Sequence, residues 1–170
     1  MSLPEEFEIL VVTLSDRASR GEYEDLSGPR ISLLAKEYFE QTGIKCTITD
    51  VLIPDDSEEL RDIINVSGSN FHIIFTTGGT GIGPRDITVE TIKPLLTKEI
   101  PGIMEYIRVK YGSEKPNALL SRGVAGLIGK TLVYTLPGSV KAVNEYMEEI
   151  LKTLHHTLQM LWGIDSHIKN

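Results

Sequence analysis

The chain has 170 residues, 41% of them hydrophobic and 24% charged, with a net charge of −7; this is enough sequence for one domain with a sizeable core and an ordinary globular composition. Lys and Arg are scattered among more numerous acids, which argues against a basic stripe and so against nucleic acid as the partner. Met1 to Glu6 is acidic where a leader would be basic, and no apolar run approaches the length of a membrane span, so the expectation is a cytoplasmic protein without membrane contact.

Glu8 to Leu14 is a nearly continuous β-prone apolar run, as in a strand covered on both faces, and predicts the first strand of a parallel sheet. After it come Ser15-Asp16-Arg17-Ala18-Ser19 and then Asp25-Leu26-Ser27-Gly28-Pro29, a helix start in which Asp25 reads as the cap. Ile31, Leu34, Ala35, Tyr38 and Phe39 recur at helical spacing and stop at Gly43. Lys45 to Leu52 alternates as a second strand; the lone Cys46 within it reads as a small core residue and not as a nucleophile.

Asp56-Ser57-Glu58-Glu59 supplies an N-cap with an acid three residues on, so a helix is predicted through Leu60, Ile63 and Ile64. That leaves Asp55 without a structural duty. Phe71 to Phe75 reads as a third strand and runs directly into Thr76-Thr77-Gly78-Gly79-Thr80-Gly81-Ile82-Gly83-Pro84-Arg85-Asp86. Four glycines between 78 and 83 leave main-chain N–H groups bare, threonine hydroxyls add donors, and a helix beginning near Ile87 adds a positive dipole end. Such a loop suits phosphate. It is neither a Walker A loop, which needs Lys and Ser or Thr after its last glycine, nor a dinucleotide fingerprint, whose third glycine position is Pro84 here.

Val89, Ile92 and Leu95 mark a short helix, and Pro101-Gly102 precedes another carrying Ile103, Ile107 and Tyr111, so this part is expected to be mainly helical. Gly123 to Thr131 reads as a loop and tight hairpin feeding a strand from Thr131 to Leu136. Pro137-Gly138-Ser139 then opens a long helix with one apolar stripe from Val143 to Leu161. Asp165 to Asn170 reads as a frayed tail. Strands alternating with helices predict a single-domain α/β fold, three-layer αβα, with a mostly parallel sheet and a small β-hairpin.

In such sheets ligands gather at the carboxyl ends of the strands, where four sequence-distant clusters fall: Ser15 with Asp16, Asp55 with Asp56, the glycine loop, and Pro137-Gly138-Ser139. Asp55 and Asp86 beside a phosphate loop suit magnesium bridging substrate oxygens, although Asp86 is equally suited to capping the next helix. Arg85, Arg122 and Lys141 sit beside glycine-bearing turns, where they could offset phosphate charge. His155, His156 and His167 have no partners at zinc-ligand spacing.

Thr13 to Ser19, Ile53-Pro54-Asp55, Thr76 to Gly81 with Pro84-Arg85-Asp86, Leu120-Ser121-Arg122 and Leu136 to Ser139 together resemble the molybdopterin adenylyltransferase family of molybdenum cofactor biosynthesis. The resemblance spans nearly the whole chain; at Val140 many relatives carry proline. It implies a homotrimer that binds molybdopterin and ATP with Mg2+, transfers AMP to the terminal phosphate of molybdopterin and releases pyrophosphate. By the same resemblance, Thr77, Gly78, Gly79, Thr80, Gly81 and Ser121 hold phosphate, Asp55 and Asp86 hold magnesium, and Arg122 or Lys141 shields charge. Ser15, Asp16, Pro137, Gly138 and Ser139 complete the candidate binding set. A downstream molybdate-insertion protein is the expected partner, and the trimer is expected to close through the last helix or the segment from Pro101 to Tyr111. The competing reading is a molybdopterin-binding or trimeric scaffold protein without transferase activity.

Overall fold

A computed structural model describes residues 2–68 and 70–164, so the tail expected at Asp165 to Asn170 lies outside the described residues. Six strands, β1 (Glu6–Leu14), β2 (Lys45–Ile53), β3 (Ile73–Thr77), β4 (Lys98–Glu99), β5 (Ala125–Ile128) and β6 (Thr131–Leu136), form one sheet in the order β2-β1-β3-β6-β5-β4. β2, β1, β3 and β6 run parallel, whereas β5 and β4 are antiparallel additions at one edge. The helices are α1 (Asp16–Ser19), α2 (Ser27–Thr42), α3 (Ser57–Ser67), α4 (Thr88–Ile92), α5 (Pro101–Gly112) and α6 (Val140–Leu161).

Alternation along each buried strand builds the layers. Phe7, Ile9, Val11, Ile73, Phe75 and Tyr134 point to one face, where Ile31 and Phe39 of α2, Ile107 of α5 and Met147, Ile150 and Leu154 of α6 cover them. Leu10, Val12, Ile74 and Val133 point to the other, against Leu60 and Ile64 of α3 and Val89 and Ile92 of α4. The predicted αβα arrangement and parallel sheet are therefore observed. Each fully buried side chain of this kind stabilises the fold by about 1.5–3 kcal/mol, so the two clusters dominate its energetics.

Local signals set the ends. Gly43 closes α2 in the left-handed region at φ 71°. The Asp56 carboxylate accepts from the Glu58 and Glu59 amides at the start of α3, and the Ser139 hydroxyl accepts from the Ala142 amide at the start of α6. Leu26, not the expected Asp25, fills the N-cap position of α2 and makes no side-chain cap bond, while the Asp25 carboxylate, one residue earlier, accepts from the Gly28 amide at 3.1 Å. Cys46 is half-buried on β2 and packs against the core.

Two further expectations need correction. β3 begins at Ile73 and runs on through Thr76 and Thr77, because both pair with β6 and carry the ladder into the glycine motif. The region between the glycine loop and the hairpin, expected to be mainly helical, also contains β4. Its two residues pair with Leu127 and Gly126 of β5, too short a run to leave a pattern in sequence.

Candidate active site at the strand ends

β1 has β2 on one side and β3 on the other, so the sheet reverses its order of growth between β1 and β3, the point at which open α/β sheets take up ligands beyond the carboxyl ends of their strands. The loop after β3 is packed tightly into this place. A Cβ on Gly78 would lie 2.2 Å from the Leu14 carbonyl oxygen, and Gly78 holds φ 98°, so no other residue fits the end of β1. The Thr88 hydroxyl donates to the Gly78 carbonyl at 2.8 Å and its amide donates to the Gly79 carbonyl at 3.1 Å, tying the loop to α4.

The Gly78 amide donates to Leu136 at 3.0 Å, and the Thr77 hydroxyl donates to the Pro137 carbonyl at 2.9 Å. The Thr77 hydroxyl, expected to offer itself to an anion, instead joins the glycine loop to the turn after β6. Gly138 lies against the same loop, its Cβ position 3.4 Å from the Gly78 Cα. Among the described residues, the amides of Gly79, Thr80, Gly81 and Ile82 have no acceptor. Four consecutive donors are thus left without a partner in the protein, which a main-chain anion nest requires.

Asp86 serves the loop and not the helix after it. Its Oδ2 accepts from the Gly83 amide at 2.7 Å, while α4 starts after Ile87 with no side-chain cap. Cβ atoms at Gly81 or Gly83 would stand 2.8 or 2.9 Å from that same oxygen, so both glycines are needed for the carboxylate to fold back.

Arg122 braces the opposite side. Its amide donates to the Thr80 carbonyl, its Nε donates to the Gly81 carbonyl at 2.8 Å, and its guanidinium pairs with Glu90. That pairing holds the Glu90 carboxyl below its ordinary range. Ser121 accepts a hydrogen bond from the Tyr146 hydroxyl at 2.9 Å, which leaves its own O–H to donate. The Ser15 hydroxyl caps α1 through the Ala18 amide and meets the Tyr23 hydroxyl at 2.8 Å. Lys141 is exposed in the first turn of α6.

Asp16 at the start of α1, Asp55 after β2 and Arg85 after the glycine loop converge. The Asp16 amide donates to Asp55 Oδ2 at 2.9 Å, and the Asp55 amide donates to Asp16 Oδ1 at 3.1 Å. Arg85 donates through Nε and Nη2 to the two oxygens of Asp16, each at 2.9 Å. The guanidinium lowers the Asp16 carboxyl, whereas burial raises that of Asp55, with the charges of Asp16 and Asp86 adding to the rise.

Two clefts border these loops, one of about 170 Å³ between Ser15, Tyr23, Asp25 and Gly138, the other of about 380 Å³ between Arg108, Ser121, Arg122 and Gly123. Among the described residues no group of three or more His, Cys, Asp or Glu could by itself hold a metal ion. Magnesium needs only one or two carboxylates when substrate phosphates supply further oxygens. Asp55 and Asp86 fit that demand, since each keeps one oxygen without a donor among the described residues.

The structure therefore joins all four strand-end clusters. Sequence reasoning missed the Asp16–Arg85 pair, the Thr88 strut, the Glu90 counter-charge and the Tyr146 contact. Thr88 alone left a signal, a small hydroxyl residue following the loop; the others meet only through the fold.

Residues 10–156 match the family described as "Probable molybdopterin binding domain". Over 162 residues the chain is 39% identical to a molybdopterin adenylyltransferase of Pyrococcus furiosus, covering 92% of both chains. It is 39% identical over 164 residues to gephyrin of Dictyostelium discoideum, covering 92% of this chain; the chain spans 23% of that relative's length. The crystal structure of the molybdopterin biosynthesis enzyme MoaB of Thermus thermophilus superposes with a TM-score of 0.78 at 34% identity, covering 92% of this chain and 97% of that one.

Proposed function

Because the chain belongs to this molybdopterin-binding domain family, within molybdenum cofactor biosynthesis, we propose that it is a molybdopterin adenylyltransferase. A non-bridging oxygen of the terminal phosphate of molybdopterin bonds to the α-phosphorus of ATP. The bond from that phosphorus to the β-phosphate oxygen breaks, and its electron pair leaves with pyrophosphate. The observation that carries this reading is the run of four amides, Gly79 to Ile82, unpaired among the described residues, with the carboxylates of Asp55 and Asp86 beside it.

The acceptor phosphate is already a competent nucleophile, so the protein has to align it and offset repulsion between anions. In this reading the loop amides and the Ser121 hydroxyl hold phosphate oxygens, and Asp55 and Asp86 would hold magnesium, which would supply positive charge to offset that of the phosphates. Arg122, already spent on Glu90, keeps the loop in shape and adds charge at a distance. Lys141, exposed at the start of α6, is free to meet the nucleotide.

Exposed Tyr106 and Val109 on α5, with Leu119 and Leu120 beyond it, support the homotrimer through this face. No described helix is long and apolar enough to cross a membrane. In this reading the enzyme works in the cytoplasm and passes its product to a molybdate-insertion protein. Release of pyrophosphate from Mg-ATP tests the reaction. It should require molybdopterin, and molybdopterin bound without any release would leave a carrier or scaffold instead.

A further inference from the structure

Both oxygens of Asp16 are already occupied by the protein, Oδ1 by the Asp55 amide and one arm of Arg85, Oδ2 by the other arm. Asp55 and Asp86 each accept a single main-chain hydrogen bond among the described residues. Asp16 thus differs from the two carboxylates beside it: each of its oxygens already has a protein donor, and it reaches residues 39 and 69 positions away.

We infer that Asp16 is a positioning residue that locks the loop after β2 and the end of the glycine loop to the end of β1, and is not itself a ligand of phosphate or metal. The exchange of amides between Asp16 and Asp55 fixes where the Asp55 carboxylate stands. The fork of Arg85 on Asp16 pins the residue next to Asp86, so both candidate metal carboxylates take their places from one side chain. The Arg85 side chain is 64% exposed, and an ion pair so open to water adds little to folding. A bidentate fork nevertheless defines direction and distance, so the pair's effect falls on geometry. It also cancels the charge of Asp16 beside a site meant for anions.

This inference rests on the adenylyl-transfer reading for its kinetic consequence and on geometry alone for its structural one, so the two can fail separately. Hydrogen–deuterium exchange on the whole protein compares the wild type with Asp16→Asn, Arg85→Gln and the double variant. Faster exchange is expected over residues 53–56 and 81–87 in each, with α6 and the thermal midpoint unchanged. Unchanged exchange in both segments would overturn the lock even if the wild type made no product. Where product forms, kcat should fall about 10- to 100-fold while both KM values stay within about twofold, since misplacement by an ångström costs that much in alignment. The double variant should lose no more than the worse single one. A rise in KM with kcat preserved would make Asp16 a substrate ligand and overturn the assignment.

Discussion

The Gly83 amide donates to Asp86 Oδ2 at 2.7 Å, so Asp86 folds back to close the loop that precedes it. Asparagine keeps an oxygen for that amide and removes the charge. Asp86→Asn should leave the thermal midpoint within about 2 °C while lowering kcat by about 10²- to 10³-fold, the usual cost of losing one group that stabilises charge in the transition state. Differential scanning fluorimetry with single-turnover kinetics checks both halves.

Gly78 makes the tightest approach in the site. Ala at that position brings a Cβ to 2.2 Å from the Leu14 carbonyl and forces φ 98° on a residue with a side chain. Gly78→Ala should destabilise the fold by at least about 2 kcal/mol, through strain and a displaced β1 end. Urea unfolding at constant m-value would measure it.

The strands other than β4, the αβα class, the α2 and α3 caps and the glycine loop were legible because each leaves a local trace: an apolar run, a period, a Gly at a left-handed position, or an Asp before a helix. Asp55 stood out by subtraction, since Asp56 already had the cap, but the structure gives it a duty that the sequence left blank: its Oδ2 accepts from the Asp16 amide at the start of α1. The partners of those residues were not legible. Asp16 meets Arg85 across 69 positions, and Thr77 spends its hydroxyl on Pro137 across 60, because β1, β3 and β6 lie side by side in the sheet. β4 was invisible because two residues show no alternation.

His72 supplies a pH signature away from the site. Its Nδ1 accepts from the Glu8 amide at 2.9 Å, and the ring packs on Phe7 and Trp162. Burial lowers its pKa below the ordinary 6.5, with the Glu8 charge opposing. The unfolded chain therefore binds this proton first as pH falls. The contribution is complete above about pH 6.5 and declines as pH drops toward the folded value. Stability of the wild type should fall between pH 7 and 5.5 more steeply than that of His72→Gln, as read by urea midpoints.

Tyr106 and Val109 are 56% and 68% exposed on α5. If that face closes the trimer, Val109→Glu should give monomers by light scattering while the far-ultraviolet circular dichroism stays that of the wild type. Trimers persisting in the variant would place the contact elsewhere.

The most direct measurement is mass spectrometry of molybdopterin after incubation with the protein, ATP and magnesium, run beside Asp55→Asn. Adenylylated molybdopterin and stoichiometric pyrophosphate from the wild type, with product formed at least about 100-fold more slowly by the variant, is the predicted result. Molybdopterin bound by the wild type but never adenylylated, or equal turnover by Asp55→Asn, would contradict the assignment of adenylyl transfer to this site.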